Sequence, residues 1–232
     1  MRSHQIFDKA RRRMIERHLV ARGITDADVL QAMATVPREQ FVPRAFRDDA
    51  YGDHPLSIGW NQTISQPYIV ALMIQLVRPT KSCRALEIGV GSGYQAAVLA
   101  QLCGEVFGME IVPALAESAS RRLAELGYAN VHVRCGDGCR GWPEQAPFDV
   151  IIVAAAPDRV PESLVQQLAV GGRFVIPIGG ESQLLWRIEK LADGTIDRQA
   201  VIPVQFVPMT GSESQESGDP ASCRPCGGSN EG

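Results

Sequence analysis

The chain has 232 residues, 45% of them hydrophobic and 21% charged, with 23 basic against 26 acidic side chains and a formal net charge of −3. Length and balance describe one large globular domain, or one domain with an accessory piece, and exclude a disordered scaffold, a collagen-like chain and a disulfide mini-protein. The weak negative charge argues against a nucleic-acid binder held by bulk charge, and six cysteines are too few for a disulfide framework. Ile6 to Arg22 carries Ile6, Ala10, Met14 and Val20 among many charges, which predicts an amphipathic helix stopped at Gly23. Its arginines, Arg11, Arg12 and Arg13, read as a solvated basic face. Met1 to Met14 has no apolar core of a signal peptide, and the longest uncharged apolar stretch of the N-terminal half, Tyr68 to Val77, is half of the roughly 20 residues a membrane span needs. A cytoplasmic protein without a membrane partner is expected.

Asp26 to Thr35 reads as a second helix, and Pro37 and Pro43 bound an irregular segment. Residues 51 to 67 hold Gly52, Pro55, Gly59, Asn61 and Pro67, which predicts a long loop, ordered by Tyr51, Leu56, Ile58, Trp60 and Ile64. A helix from Pro67 to Val77 follows, with proline in its first turn. From Arg84 strand and helix signals alternate: strands at Arg84–Ile88, Val106–Glu110, Val131–Arg134, Phe148–Ala154 and Arg173–Pro177, with helices at Ser92–Leu102, Pro113–Leu126 and Pro161–Leu168 between them. Leu184–Leu191 and Val201–Val207 add two strands around a turn at Asp193-Gly194, their order and direction left open. The expected fold is α/β: a Rossmann-like, mostly parallel seven-stranded sheet flanked by helices, with an N-terminal helical section. Residues 1–210 form one domain on this reading, divided into N-terminal helices and loop (1–80), cofactor-binding core (81–180) and C-terminal strands (181–210). Residues 211–232, rich in Gly, Ser, Glu and Pro, read as a disordered tail in which Cys223 and Cys226 lack a second ligand pair.

The sharpest local signal runs from Glu87 to Gly93, ending a strand and opening a helix. Gly89, Gly91 and Gly93 let the backbone turn tightly and approach a ligand. The spacing is G-x-G-x-G, and Glu87 stands ahead of it, where a carboxylate repels a pyrophosphate but attracts the cationic amino group of a methionine moiety. That favours S-adenosyl-L-methionine over a dinucleotide. Glu110, at the end of the next strand, is placed to accept from ribose hydroxyls, and Asp137 and Gly138, after the third, to meet the adenine. After the fourth strand the chain reads Ala154-Ala155-Ala156-Pro157, with no polar acceptor for an amine proton. An acceptor that is already an anion, such as a carboxylate with a pKa of about 4, needs no general base. No metal is expected.

The stretch Ile58-Gly59-Trp60-Asn61-Gln62-Thr63-Ile64-Ser65-Gln66-Pro67 resembles the signature loop of the protein-L-isoaspartate O-methyltransferases, bacterial type. Val36 to Val42, Leu86 to Tyr94, Gly136 to Gly138, Ala146 to Asp149, Gly171 to Arg173 and Phe206 to Thr210 extend the resemblance over about residues 10 to 210. It implies methyl transfer from S-adenosyl-L-methionine, leaving S-adenosyl-L-homocysteine, to the free α-carboxylate of L-isoaspartyl residues in damaged peptides and proteins. The methyl ester then converts through a succinimide to aspartate. By the same resemblance Ser65 matches the active-site serine, an orienting group whose alternative reading is a helix N-cap. Gln62, Thr63 and Ile64 match loop residues beside the cofactor; Thr63, Ser65, Tyr68 and Thr210 match the substrate side. Asn61, Ser57 and Val90 depart from the family pattern without removing a polar group the chemistry needs. A monomer is expected, with no nucleic acid partner. Two rivals are a relative that modifies another carboxylate and a module that binds S-adenosylmethionine without turnover.

Overall fold

The structure is a computed structural model that describes residues 2–211. Residues 212–232, and with them Cys223, Cys226 and nearly all of the expected tail, lie outside the described residues.

The first helix, α1 (Arg2–Arg13), runs on as a π-helical stretch over Met14–Leu19 and a 3-10 turn over Val20–Arg22. Gly23, at φ +89°, ends it in the left-handed region that glycine adopts without a Cβ clash. Helix α2 (Ala27–Thr35) starts where the Asp26 carboxylate accepts from the backbone N–H groups of Asp28 and Val29, at 3.0 and 3.1 Å. The segment expected as a loop holds a hairpin, β1 (Leu56–Gly59) and β2 (Gln62–Ile64), pairing Leu56 with Ile64 and Ser57 with Thr63. Trp60 and Asn61 form its tip, both at φ 55°, the two left-handed residues a tight type I′ turn requires. Strands of four and three residues carry too little alternation to read, and Trp-Asn hides the usual Asn-Gly turn signal. Helix α3 (Pro67–Val77) follows, proline-led as expected.

The remaining elements are β3 (Arg84–Ile88), α4 (Tyr94–Ala100), β4 (Glu105–Glu110), α5 (Pro113–Glu125), β5 (Val131–Cys135), β6 (Phe148–Val153), α6 (Glu162–Gln167), β7 (Leu168–Ile178), β8 (Gln183–Lys190) and β9 (Ile196–Val204). They form a seven-stranded sheet in the order β5-β4-β3-β6-β7-β8-β9. Pairing is parallel from β5 to β7 and antiparallel at β8 and β9, which settles the direction of the last two strands. Strand β7 starts five residues before the expected Arg173: pairing jumps from Phe148–Leu168 to Val150–Arg173 across a bulge, with Gly171 at φ +78°. The Gly171-Gly172 pair is therefore the bulge, while the helix before it already ends at Gln167. Strand β9 begins at Ile196 rather than Val201, because the Asp193 carboxylate turns the chain at once by accepting from the Thr195 N–H at 3.0 Å and hydroxyl at 2.6 Å.

Neighbouring strand residues point to opposite faces, so each side of the sheet has its own core. Ala85, Val106, Val150, Ile152 and Val175 pack under Val29, Met33, Met73, Ile74, Val98 and Leu99 of the N-terminal and central helices. Leu86, Phe107, Ile151, Phe174 and Ile176 pack on the other face with Leu164 and Leu168. Burying each large apolar side chain contributes about 1.5–3 kcal/mol. The N-terminal helices thus share a core with the sheet, and that places residues 14–77 against its edge of functional interest.

Candidate active site

From β3 the chain moves outward through β4 to β5, then returns to β6 on the other side of β3. At such a switch point the loops leave the carboxyl ends of adjacent strands in opposite directions and open a crevice. A cavity of about 720 Å³ lies there, lined by the glycine-rich turn, the signature hairpin, the start of α3 and the C-terminal segment 202–210. That segment is held back over β6: Ala156 N–H donates to Val207 C=O and Met209 N–H to Ala156 C=O, each at 2.8 Å, and Ala156 bridges Pro208.

Glu87, in the penultimate position of β3, is buried and lines the cavity, and its Oε2 has no hydrogen-bond partner. Burial, reinforced by the field of Glu110, holds its pKa well above the usual carboxylate range. Glu110 ends β4, also buried; its Oε2 accepts from Gly91 N–H at 2.7 Å and its Oε1 from Val112 N–H at 2.9 Å. This clamp on the glycine-rich turn has no signature in the sequence. Each oxygen keeps a further lone pair for a ligand hydroxyl. Gly89 (φ +83°) and Gly91 (φ +54°) bring bare backbone to the cavity wall. Val90, where the family pattern has a hydroxyl, packs its methyl into the space left by Gly108, whose Cβ would stand 2.5 Å from it.

Gln62, Thr63, Ile64, Ser65, Tyr68, Gly138 and Thr210 all line the cavity as expected. Gly93 and Asp137 do not line it. Gly93 precedes α4 at φ +87° and allows close approach of Leu123, a packing role. The Asp137 carboxylate instead accepts from Cys139 N–H at 2.9 Å, shaping the turn that presents Gly138 to the cavity. There a Cβ at Gly138 would come within 2.3 Å of Ile88, so only glycine lets that backbone approach β3.

Ser65 is half-buried, and the N-cap of α3 is Gln66, so Ser65 is not the helix cap. Its carbonyl accepts from Arg38 Nη2 at 2.8 Å, while Arg38 Nε donates to Ala50 C=O at 2.7 Å. Arg38 is fully buried, its guanidinium 4.7 Å from the centre of the Tyr94 ring. It pins both ends of the segment that carries the hairpin. Beside it, Tyr51 donates to buried Glu39 at 2.5 Å and accepts from Arg11 Nε at 2.8 Å. Arg11 is thus tied into the interior and not solvated as its neighbours Arg12 and Arg13 are. Arg38 and Glu39 stand between buried Val36 and buried Phe41 and Val42, a placement that could have flagged them, whereas nothing local to Arg11 marks its contact. Arg22 is the one cation that lines the cavity among the described residues.

Residues 9–214 match the family model for protein-L-isoaspartate(D-aspartate) O-methyltransferase. The chain belongs to that family. A protein-L-isoaspartate O-methyltransferase of Gloeobacter violaceus is 51% identical over 205 residues, covering 88% of this chain and all of that protein. Protein-L-isoaspartate O-methyltransferase 2 of Marinobacter nauticus is 54% identical over 88% of this chain and 94% of its own length. A solved protein-L-isoaspartate O-methyltransferase superposes with a TM-score of 0.77 at 32% identity, over 87% of this chain and 66% of that one. A Plasmodium falciparum chain solved under the same name, in complex with S-adenosyl-L-homocysteine, superposes at 0.75 with 27% identity over 86% and 97% of the two chains. The chain is therefore an S-adenosylmethionine-dependent O-methyltransferase of the isoaspartyl class, built on the Rossmann-like sheet its sequence predicts. Among the described residues no helix is long and apolar enough to cross a membrane, and no group of three His, Cys, Asp or Glu side chains is arranged to hold a metal.

Proposed function

We propose that this chain repairs damaged proteins as a monomer, with residues 1–210 as one catalytic domain, the 211–232 tail outside it, and no nucleic acid, membrane or metal involved. The observation that carries the assignment of the site is Glu87: a buried carboxylate oxygen without a partner, facing a cavity, calls for a cationic donor such as an amino acid ammonium. Glu110 has lone pairs left for ribose hydroxyls, and Gly89, Gly91 and Gly138 line the cavity beside it, where the nucleoside would lie. Gln62, Thr63 and Ile64 close the cofactor from the hairpin side. S-adenosyl-L-methionine, when bound there, supplies an electrophilic methyl group on a sulfonium.

The acceptor carboxylate is ionised at neutral pH, so no residue has to remove a proton, and no acid or base stands on the Ala154–Ala156 segment. The Ser65 hydroxyl donates to that carboxylate and fixes which oxygen points at the methyl group. Thr63, Tyr68 and Thr210 hold the peptide around it. Alignment of this kind supplies roughly 7–11 kcal/mol of barrier reduction. The hairpin and the 205–210 segment keep water from two opposite charges that cancel during transfer. The released ester closes to a succinimide and hydrolyses in part to aspartate.

Incubating the enzyme with labelled S-adenosylmethionine and a matched pair of peptides, one with aspartate and one with isoaspartate, tests this reading. Label in the isoaspartyl peptide alone is expected. Equal transfer to both, or transfer to neither despite cofactor binding, sinks it in favour of another carboxylate or a binding module.

A further inference from the structure

Two of the three charged residues that line the cavity are acids, Glu87 and Glu110, at the strand ends. An anionic substrate entering that field meets one cation, Arg22, at the end of the N-terminal helical stretch. Its guanidinium carbon lies 3.6 Å from the centre of the Tyr68 ring, a stacked cation–π contact. Its Nη1 donates to the Asp53 Oδ2 at 2.9 Å, and His18 Nδ1 stands 3.9 Å from the same oxygen. Ring and carboxylate fix the plane of the group while using one nitrogen of a five-donor fork. The Arg22 side chain is still 42% exposed, so the other donors remain open to a partner.

Its place along the chain decides which partner. Tyr68 stands in the first turn of α3, three residues after Ser65, and Gln66 Nε2 donates to the Asp53 carbonyl at 2.8 Å. Arg22 therefore belongs to the wall built around Ser65 and not to the wall of the glycine-rich turn. A guanidinium paired directly with the reacting carboxylate would withdraw charge from the attacking oxygen. A useful cation at this wall instead pairs with a second carboxylate of the same substrate.

We propose that Arg22, stacked on Tyr68 and steadied by Asp53, forms a subsite for an acidic side chain adjacent to the isoaspartyl residue. This makes Arg22 a specificity-determining residue, and it rests on the substrate reading given under Proposed function. The subsite selects at the level of substrate capture, so it acts on kcat/KM and weakens with salt.

The test uses the full chain and three isoaspartyl peptides, amidated at the C-terminus, that carry Glu, Gln or Lys next to the isoaspartyl residue. The wild type is expected to favour the Glu over the Lys peptide by roughly fivefold in kcat/KM, less in 0.5 M salt. Arg22→Gln should collapse that ratio, Arg22→Glu should invert it, and Arg22→Lys should keep its sign. Methylation of all three peptides without charge discrimination in the wild type, or discrimination that survives in Arg22→Gln, overturns the subsite and leaves the methyltransferase reading intact. No methylation of the Gln peptide by the wild type overturns both.

Discussion

At the scale of single residues, Glu87 and Ser65 lead to separate expectations. An acid whose pKa is raised on folding holds its proton more tightly folded than unfolded. Between the usual carboxylate range and the raised value of Glu87, the ligand-free chain therefore loses stability as pH rises. An ammonium brought to its unpartnered oxygen reverses this by favouring the ionised form, so binding of S-adenosyl-L-homocysteine expels a proton. Calorimetry in buffers of different ionisation enthalpy, repeated at several pH values above the usual carboxylate range, should show more proton release in the wild type than in Glu87→Gln. Glu110→Ala should weaken the same ligand by roughly 1.5–3 kcal/mol, since hydrogen bonds to a charged group and the clamp on Gly91 go together. An unchanged dissociation constant would remove Glu110 from the site. Ser65→Ala has the opposite profile: methyl transfer to the isoaspartyl peptide drops while affinity for S-adenosyl-L-homocysteine stays, because Ser65 holds its place through its carbonyl.

At the scale of elements, the hairpin that brings Gln62, Thr63 and Ile64 to the cavity is the informative case. Its tip puts a tryptophan, 64% exposed, at φ 55°, where a bulky L-residue is strained. Trp60→Asn should relieve about 1 kcal/mol of that strain, seen as slower amide exchange at Ser57 and Thr63. Faster exchange would mean that the indole itself holds the hairpin. The hairpin also shows where sequence reading ends. Strands β3, β4, β6 and β7 were legible because burial on both faces writes largely apolar runs between glycine and proline punctuation, as in Phe148–Val153, and β5 because its valines alternate with polar residues. The place of Glu87 and Glu110 at the cavity was legible for a related reason, since a strand's carboxyl end has a fixed place in such a sheet. What stayed hidden depends on contacts between residues far apart in the chain. Asp137 faces its own turn, Arg38 reaches Ser65 across 27 positions, and the antiparallel direction of β8 follows from its pairing with β7. None of these has a local period or spacing that could announce it.

For the molecule as a whole, the buried Arg38 joins the helical section to the site. Arg38→Met fills similar space but leaves the Ala50 and Ser65 carbonyls without donors. Leaving buried acceptors unpaired costs about 1–3 kcal/mol each, offset by no longer burying a charge. The expected outcome is a folded protein whose unfolding free energy, read from urea titration, is lower by a net of about 1–3 kcal/mol, with methyl transfer reduced beyond what that loss explains. A variant with unchanged transfer would show that the hairpin finds its place without this link.

The return of residues 205–210 to Ala156 has a consequence during protein synthesis. The βα units emerge from the ribosome in an order that lets β4 pair with β3, and β5 with β4, each on a neighbour already made. The wall of the cavity that includes Phe206, Val207 and Thr210 comes last, some fifty residues after β6, when the sheet beneath it is complete. A nascent chain released short of that wall could build most of the core yet hold its ligand in an open crevice. A chain ending before Phe206 should therefore gain less stability from S-adenosyl-L-homocysteine than the full chain does, seen as a smaller shift of its thermal midpoint.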